Sequence, residues 1–166
     1  MRHPRLAIGG SLLAIFVVAT SAYGQIWSDM WRGWRGDPPR FATPAIADGE
    51  FHFCRLMYPS AFREAGGQGW RTDYPGADIN FSIRLAELTK TAVSKDGEGD
   101  PEHFVVRSSG DDNLFHCPFV HIEDAGTAEF TDDDVVQLRE YLLKGGFMWS
   151  DDFWGSRAWA VWEQEI

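Results

Sequence analysis

Positive charge is scarce in this sequence: 15 Lys and Arg stand against 25 Asp and Glu, a net charge of −10. A chain so acidic repels phosphate backbones, and no basic stripe along it offsets that, so nucleic-acid binding is excluded. Cysteine is scarce too. Cys54 and Cys117 are the only two, which excludes a disulfide-scaffold miniprotein. Eight Trp and twelve Phe supply an ordinary core without such help. No apolar run reaches the roughly 20 residues of a membrane-spanning helix. There is no Walker loop and no Gly-x-Gly-x-x-Gly after a strand, so a nucleotide would lack its usual phosphate cradle.

The longest apolar stretch, residues 6–19, follows a basic start of Arg2, His3 and Arg5. Ala22-Tyr23-Gly24 then places small residues where a signal peptidase inspects the chain. We expect residues 1–24 to be a cleaved secretory signal and the mature protein to be periplasmic or extracellular. An uncleaved anchor is the competing reading. Cleavage leaves 142 residues, the size of one domain, with 13 basic residues against 25 acidic, or −12. An exported thiol pair can oxidise, yet chain order does not fix the Cα separation that decides it. Two buried small residues and a bridge stay equally open for Cys54 and Cys117.

Residues 25–50 form a Trp-rich arm. Trp27, Trp31 and Trp34 fall at i, i+4 and i+7 on one side of a short helix, which Gly33, Gly36, Pro38 and Pro39 stop. Such a face can dock on a partner or, with Arg32 and Arg35, on a bilayer. Packing onto its own domain is favoured, because exposed apolar patches are uncommon.

From residue 51 the pattern alternates between strand and helix. Phe51 to Tyr58 reads as a strand, followed by a Gly-rich loop with Gly66, Gly67 and Gly69. Asp78 is expected to cap a helix running to about Leu88, with Ile79, Phe81, Ile83, Leu85 and Leu88 as its apolar face. Thr91-Ala92-Val93 and Phe104-Val105-Val106 are short extended pieces, and Asp111-Asp112-Asn113 can start one helical turn. Phe119-Val120-His121-Ile122 is a buried-type strand. Thr131 with Asp134 makes a capping box before a helix that presents Val135, Leu138 and Leu142 and stops at Gly145-Gly146. Phe147-Met148-Trp149 is a strand, Asp151 and Asp152 sit at its carboxyl end, and the chain turns helical from Phe153. This order predicts an α/β fold with three layers and a largely parallel sheet. Ligands of such sheets bind outside the carboxyl ends of the strands. Tyr58, Trp70, Asp73, Tyr74, Asp78, Asp151 and Asp152 all map to that edge. Arg55, three residues inside its strand, can instead make a buried ion pair.

Several blocks share the order of one bacterial family. They are Phe53-x-Arg55-Leu56-x-Tyr58, Trp70-x-Thr72-Asp73-Tyr74-Pro75-x-x-Asp78, Leu85-x-x-Leu88-Thr89 and Leu114-Phe115-x-x-Pro118-Phe119. Leu138-Arg139-x-Tyr141-Leu142, Gly145-Gly146-Phe147 and Asp151-Asp152-Phe153-Trp154-Gly155 follow. The chain resembles the domain-of-unknown-function family 4159 over roughly residues 51–165. The resemblance implies an exported protein of flavodoxin-like layout, similar to class I glutamine amidotransferases, and implies no activity. Family members usually continue past the helix that begins near Trp154. The expectation is therefore a C-terminally truncated chain with an incomplete final part.

Amidotransferase chemistry needs a thiolate on a strand-to-helix elbow with a His base beside it. Cys117, between His116 and Pro118, precedes its strand, and Cys54 lies within one, so no nucleophilic cysteine is expected. Asp151 and Asp152 can ligate a hard cation or serve as general base, with Asp73 and Asp78 across the cleft. The plainer reading makes Asp152 the N-cap of the next helix and Asp151 a brace for nearby amides. His116 and His121 are five apart and His103 lies upstream, a spacing that suits neither strand nor helix ligation. No metal site and no cofactor are expected. Tyr58, Trp70, Tyr74 and Asp78 are the candidate ligand-binding residues, the aromatics suited to stacking on a sugar or peptide.

Two functions follow. One is a non-catalytic binding or assembly module of the cell envelope, meeting an envelope protein or small ligand at the strand-end cleft. The alternative is a hydrolase using Asp151, Asp152 and Asp73, with or without a divalent metal. No nucleophile–base–orienter set can be assembled, which favours the binding module. Membrane contact through the arm is not favoured.

Overall fold

The computed structural model describes residues 36–43, 49–110 and 112–166. The expected signal segment, the Trp27/Trp31/Trp34 face and Asp111 lie outside the described residues. Residues 38–166 form one unit. Its elements are β1 (Phe53–Met57), α1 (Gly76–Leu88), β2 (His103–Arg107), a 3-10 turn (Asp112–His116) and β3 (Phe119–Ile122). A second 3-10 turn (Ala125–Thr127), α2 (Asp132–Leu143), β4 (Phe147–Ser150) and α3 (Gly155–Glu165) follow. The strands lie in the order β2-β1-β3-β4 and every pairing is parallel, so the fold is α/β with helices on both sides of the sheet.

Side chains alternate across a strand, so each strand contributes to two different layers. Cys54, Leu56, Val120 and Ile122 point to one side, where they pack with Leu138 and Tyr141 of α2 and Trp162 of α3. Phe53, Arg55, Phe119 and His121 take the other side, toward α1. There Phe81 of α1 stacks on Phe119 with ring centroids 5.6 Å apart and meets Phe53 at 5.3 Å. The Arg55↔His121 and His121↔Trp149 registers continue this second face across the sheet.

Cys54 and Cys117 are joined as a disulfide with Cα atoms 6.1 Å apart, both buried in the first face. Of the two open readings, the bridge is the one that forms. It ties β1 to the segment that leads into β3, closing a sequence separation of 63. The Thr131–Asp134 capping box is present: Asp134 N–H donates to Thr131 Oγ1, and Thr131 N–H donates to Asp134 Oδ2 at 2.9 Å. After α2, Gly146 permits a close approach, because a Cβ there would lie 2.3 Å from the Tyr141 ring.

Several local expectations are corrected. Asp78 does not cap α1, whose N-cap is Pro75. It lies inside the first turn, drawn under the helix by Arg55. The buried face of α1 is accordingly Asp78 and Ser82, while Ile83 and Leu88 are exposed. In α2 the buried residues are Asp134, Leu138 and Tyr141, and Val135 and Leu142 are partly open to solvent. Thr91 to Val93 gives an isolated bridge between Phe51 and Val93 rather than a ladder strand. Helix α3 starts at Gly155 after Trp154, not at Phe153. Asp152 cannot cap it: its φ of 61° is left-handed, whereas an N-cap residue is extended.

Candidate functional site

β1 leads through α1 to β2 on one side, while β3 leads through α2 to β4 on the other. The winding therefore reverses between β1 and β3, a switch point whose carboxyl-end crevice is the usual ligand position of such sheets. Three segments empty into it. They are the long loop after β1 that reaches Pro75, Glu123 and Asp124 after β3, and Asp151 and Asp152 after β4.

A buried ion pair braces the crevice. Arg55 and Asp78 have no exposed surface. The Arg55 Nε–H donates to Asp78 Oδ1 at 2.9 Å and Oδ2 at 3.1 Å, and Nη2 also donates to Oδ1. Nη1 donates to the carbonyls of Trp70 and Thr72 at 3.1 and 2.8 Å. One guanidinium thus ties the strand, the loop and α1 together, using the planar fork that lysine lacks. Tyr58 is a second brace. Its hydroxyl, held above the ordinary phenol pKa chiefly by burial, donates to the Glu123 carbonyl and to the Asp124 carbonyl at 2.9 Å. Asp124 turns through a left-handed φ of 53°, and its Oδ2 accepts from Gly69 N–H at 2.9 Å.

The ionisable groups face one another inside this frame. Burial chiefly, with smaller contributions from Asp151, Asp152 and Asp73, pushes the Glu123 carboxyl up to about 7 against the lowering effect of Arg55. Burial likewise raises Asp124, with Asp152 adding to it. Glu64 is raised by desolvation and then by Asp124 and Asp152. His121 is held below its ordinary value, first by burial, with Asp151 opposing. Its Nε2 lies 3.0 Å from Asp151 Oδ1, and its Nδ1 lies 3.6 Å from Glu123 Oε2. Nδ1 is buried and has no hydrogen-bond partner. The ring is fixed by edge contacts with Phe53 and Trp149, at 5.4 and 5.7 Å.

Of the residues singled out from sequence, Asp73, Asp151 and Asp152 share one electrostatic neighbourhood around Glu123. Tyr58 and Asp78 are buried, with their polar atoms in the bracing contacts. Trp70 packs against the core and edge-on to Tyr74 at 5.8 Å. The Tyr74 hydroxyl accepts from Arg40 N–H at 3.0 Å. Asp151 puts its side chain on His121 rather than on nearby amides, and His116 faces solvent away from the crevice. Sequence reasoning missed His121 and Glu123 as a pair. The signal was present, since His-x-Glu at the end of a buried strand puts both side chains on one face.

Fold and site together define an α/β protein with an acidic, histidine-bearing crevice at the switch point of a parallel sheet. Residues 52–166 match the domain of unknown function DUF4159, and the chain belongs to that family. No curated protein and no solved structure matches it.

Proposed function

We propose that this protein is an exported binding domain whose strand-end crevice takes a positively charged ligand. The observation that carries it is the charge of the crevice. Glu123, Asp124, Asp151, Asp152, Asp73 and Glu64 converge there. Arg55 is the only buried Arg or Lys among the described residues, and Asp78 already holds it. Carboxylates that outnumber the cations beside them, here Arg55 near Glu123 and Arg157 near Glu64, repel one another, and a cationic ligand relieves that repulsion. The backbone supports the same reading. Asp73, Asp124 and Asp152 are the non-glycine residues with positive φ among those described, and all three belong to this crevice. Conformations that cost about 1–2 kcal/mol each concentrate where a site needs them.

The strand order 2-1-3-4 matches the first four strands of a flavodoxin-like sheet, supporting that layout as the finer description. The basic start and Ala22-Tyr23-Gly24 support export, and no described helix is long and apolar enough to cross a membrane. Thermal unfolding of the mature protein tests the ligand class, using metal ions, polyamines, amino sugars and basic peptides. At least one cationic class should raise the melting temperature, and less so in Asp152→Asn. If none does, the binding reading fails.

One contact favours hydrolysis as a second reading. An imidazole held by a carboxylate, as His121 is by Asp151 at 3.0 Å, can take a proton from water. Turnover of ester, amide or glycoside substrates that His121→Gln abolishes would establish it.

A further inference from the structure

We infer that the charge the crevice takes is a divalent metal ion held by His121 and Glu123, with Asp151 fixing the imidazole. The inference rests on the cation-binding reading and narrows it to one ligand. One ligand atom from each of the three residues lies within 4.8 Å of the other two. His121 is the independent observation. The residue is 95 % buried, and its Nδ1 has no hydrogen-bond partner. With Nε2–H donating to Asp151 Oδ1 at 3.0 Å, Nδ1 presents a lone pair to the Glu123 carboxylate, Oε2 lying 3.6 Å away. Two acceptors facing each other across that gap repel unless a proton or a metal cation joins them. Metal bonds of about 2.1 Å to both atoms subtend an angle of about 118° across such a gap, within about 10° of tetrahedral.

The surroundings fit a bound ion. A ligating histidine usually donates its second ring N–H to a carboxylate, and Asp151 is so placed. Asp151 is also half-exposed, with 44 % of its side-chain surface open, which leaves a path from solvent. Arg55 Nη2 lies 3.6 Å from Glu123 Oε2 and opposes a cation, but Asp78 neutralises that guanidinium. Imidazole with carboxylates selects a borderline ion such as zinc over calcium or magnesium, which prefer all-oxygen shells.

The test is calorimetric titration of the chelator-treated, disulfide-bonded mature protein with Zn²⁺, Mn²⁺, Ca²⁺ and Mg²⁺. Wild type should bind one equivalent of Zn²⁺ in preference to Ca²⁺ or Mg²⁺. His121→Gln and Glu123→Gln should each weaken it more than about 10-fold, the loss that removing even an outer-shell partner brings. Glu163→Gln, an exposed change outside the crevice, should leave it unchanged. Nitrogen-detected imidazole NMR of the wild type covers the case of a variant that does not fold. Zn²⁺ should then shift the His121 ring nitrogens and leave those of His52, His103 and His116 in place. Zn²⁺ binding that survives both substitutions, or that shifts only another histidine, overturns the inference. So does binding of organic cations without metal, an outcome that leaves the broader reading intact. Silence toward every cation sinks both.

Discussion

The two faces of the sheet are built from alternate residues of the same strands, yet they follow different rules. On the α2/α3 side, Cys54, Leu56, Val120 and Ile122 pack among apolar neighbours, and a disulfide fastens them. On the α1 side the same strands present Arg55 and His121 among phenylalanines. Apolar packing is tolerant, since a lost contact costs only its own share of burial and cavity. A buried charge is not, because removing its partner strands the other half. One face therefore holds the apolar core and the other the buried charges, and the second is the less forgiving of change.

Splitting the ion pair should cost most. Arg55→Met leaves the Asp78 carboxylate buried and uncompensated, with a loss of about 3–5 kcal/mol in denaturant unfolding. It also frees the Trp70 and Thr72 carbonyls that now accept from Nη1. Pairing it with Asp78→Leu should recover much of that loss. If the double variant is no more stable than Arg55→Met, the pair is not the coupled unit that its geometry describes.

The disulfide comes next, on the tolerant face. Closing 63 residues of sequence separation is worth about 4 kcal/mol in the chain-entropy account. Replacing Cys54 and Cys117 together by Ala should lower stability by up to that amount and leave ligand binding unchanged. A variant that keeps its stability but loses binding would place the bridge on the wrong side of the comparison.

A smaller effect tests the edge of that face through pH. Burial raises the Asp134 carboxyl, but the Ser108, Ser109 and Thr131 hydroxyls and the Thr131 N–H outweigh it and hold the group at about 2. Ser108 Oγ donates to Asp134 Oδ1 at 2.6 Å. The folded pKa lies below the unfolded one, so the stabilisation is complete above about pH 4 and fades as pH falls toward 2. Asp134→Ala should thus cost about 2 kcal/mol at pH 7 and clearly less at pH 2, read from urea midpoints. An equal cost at both values would leave the ionised box without a role.

What could be read from sequence divides along the same line. Strand periodicity, the Thr131–Asp134 box and the Gly145-Gly146 stop are local signals, and the structure contains each of them. The parallel order followed from helices lying between strands. Of the pairings across long separations, the sequence suggested a buried ion pair for Arg55 but not its partner. Asp78 looks like a cap when only its neighbours are considered, and it becomes a salt-bridge partner only when β1 lies beneath α1. The same holds for Ile83 and Leu88, apolar in sequence but left exposed, because the helix turned its Asp78–Ser82 face inward. For Glu123 the chain shows only the His-x-Glu spacing, and its neighbours Asp73, Asp151 and Asp152 come from loops far away in sequence.

Asp152 gives the finest test, because capping and site-building predict different outcomes there. A capping aspartate replaced by Gly loses a few tenths of a kcal/mol. At a φ of 61°, by contrast, Gly relieves a backbone conformation that a side chain rarely adopts, and it also removes one negative charge from beside Glu123 and Asp124. Asp152→Gly should therefore match or exceed wild type in stability, by up to about 1 kcal/mol, and should bind a cationic ligand more weakly. Asp152→Asn keeps a side chain that tolerates the left-handed region, so it should shed the charge while keeping most of the strain. If the glycine variant is less stable than the asparagine variant, the side chain earns its place by local bonding, and the carboxylate is not held there for a ligand.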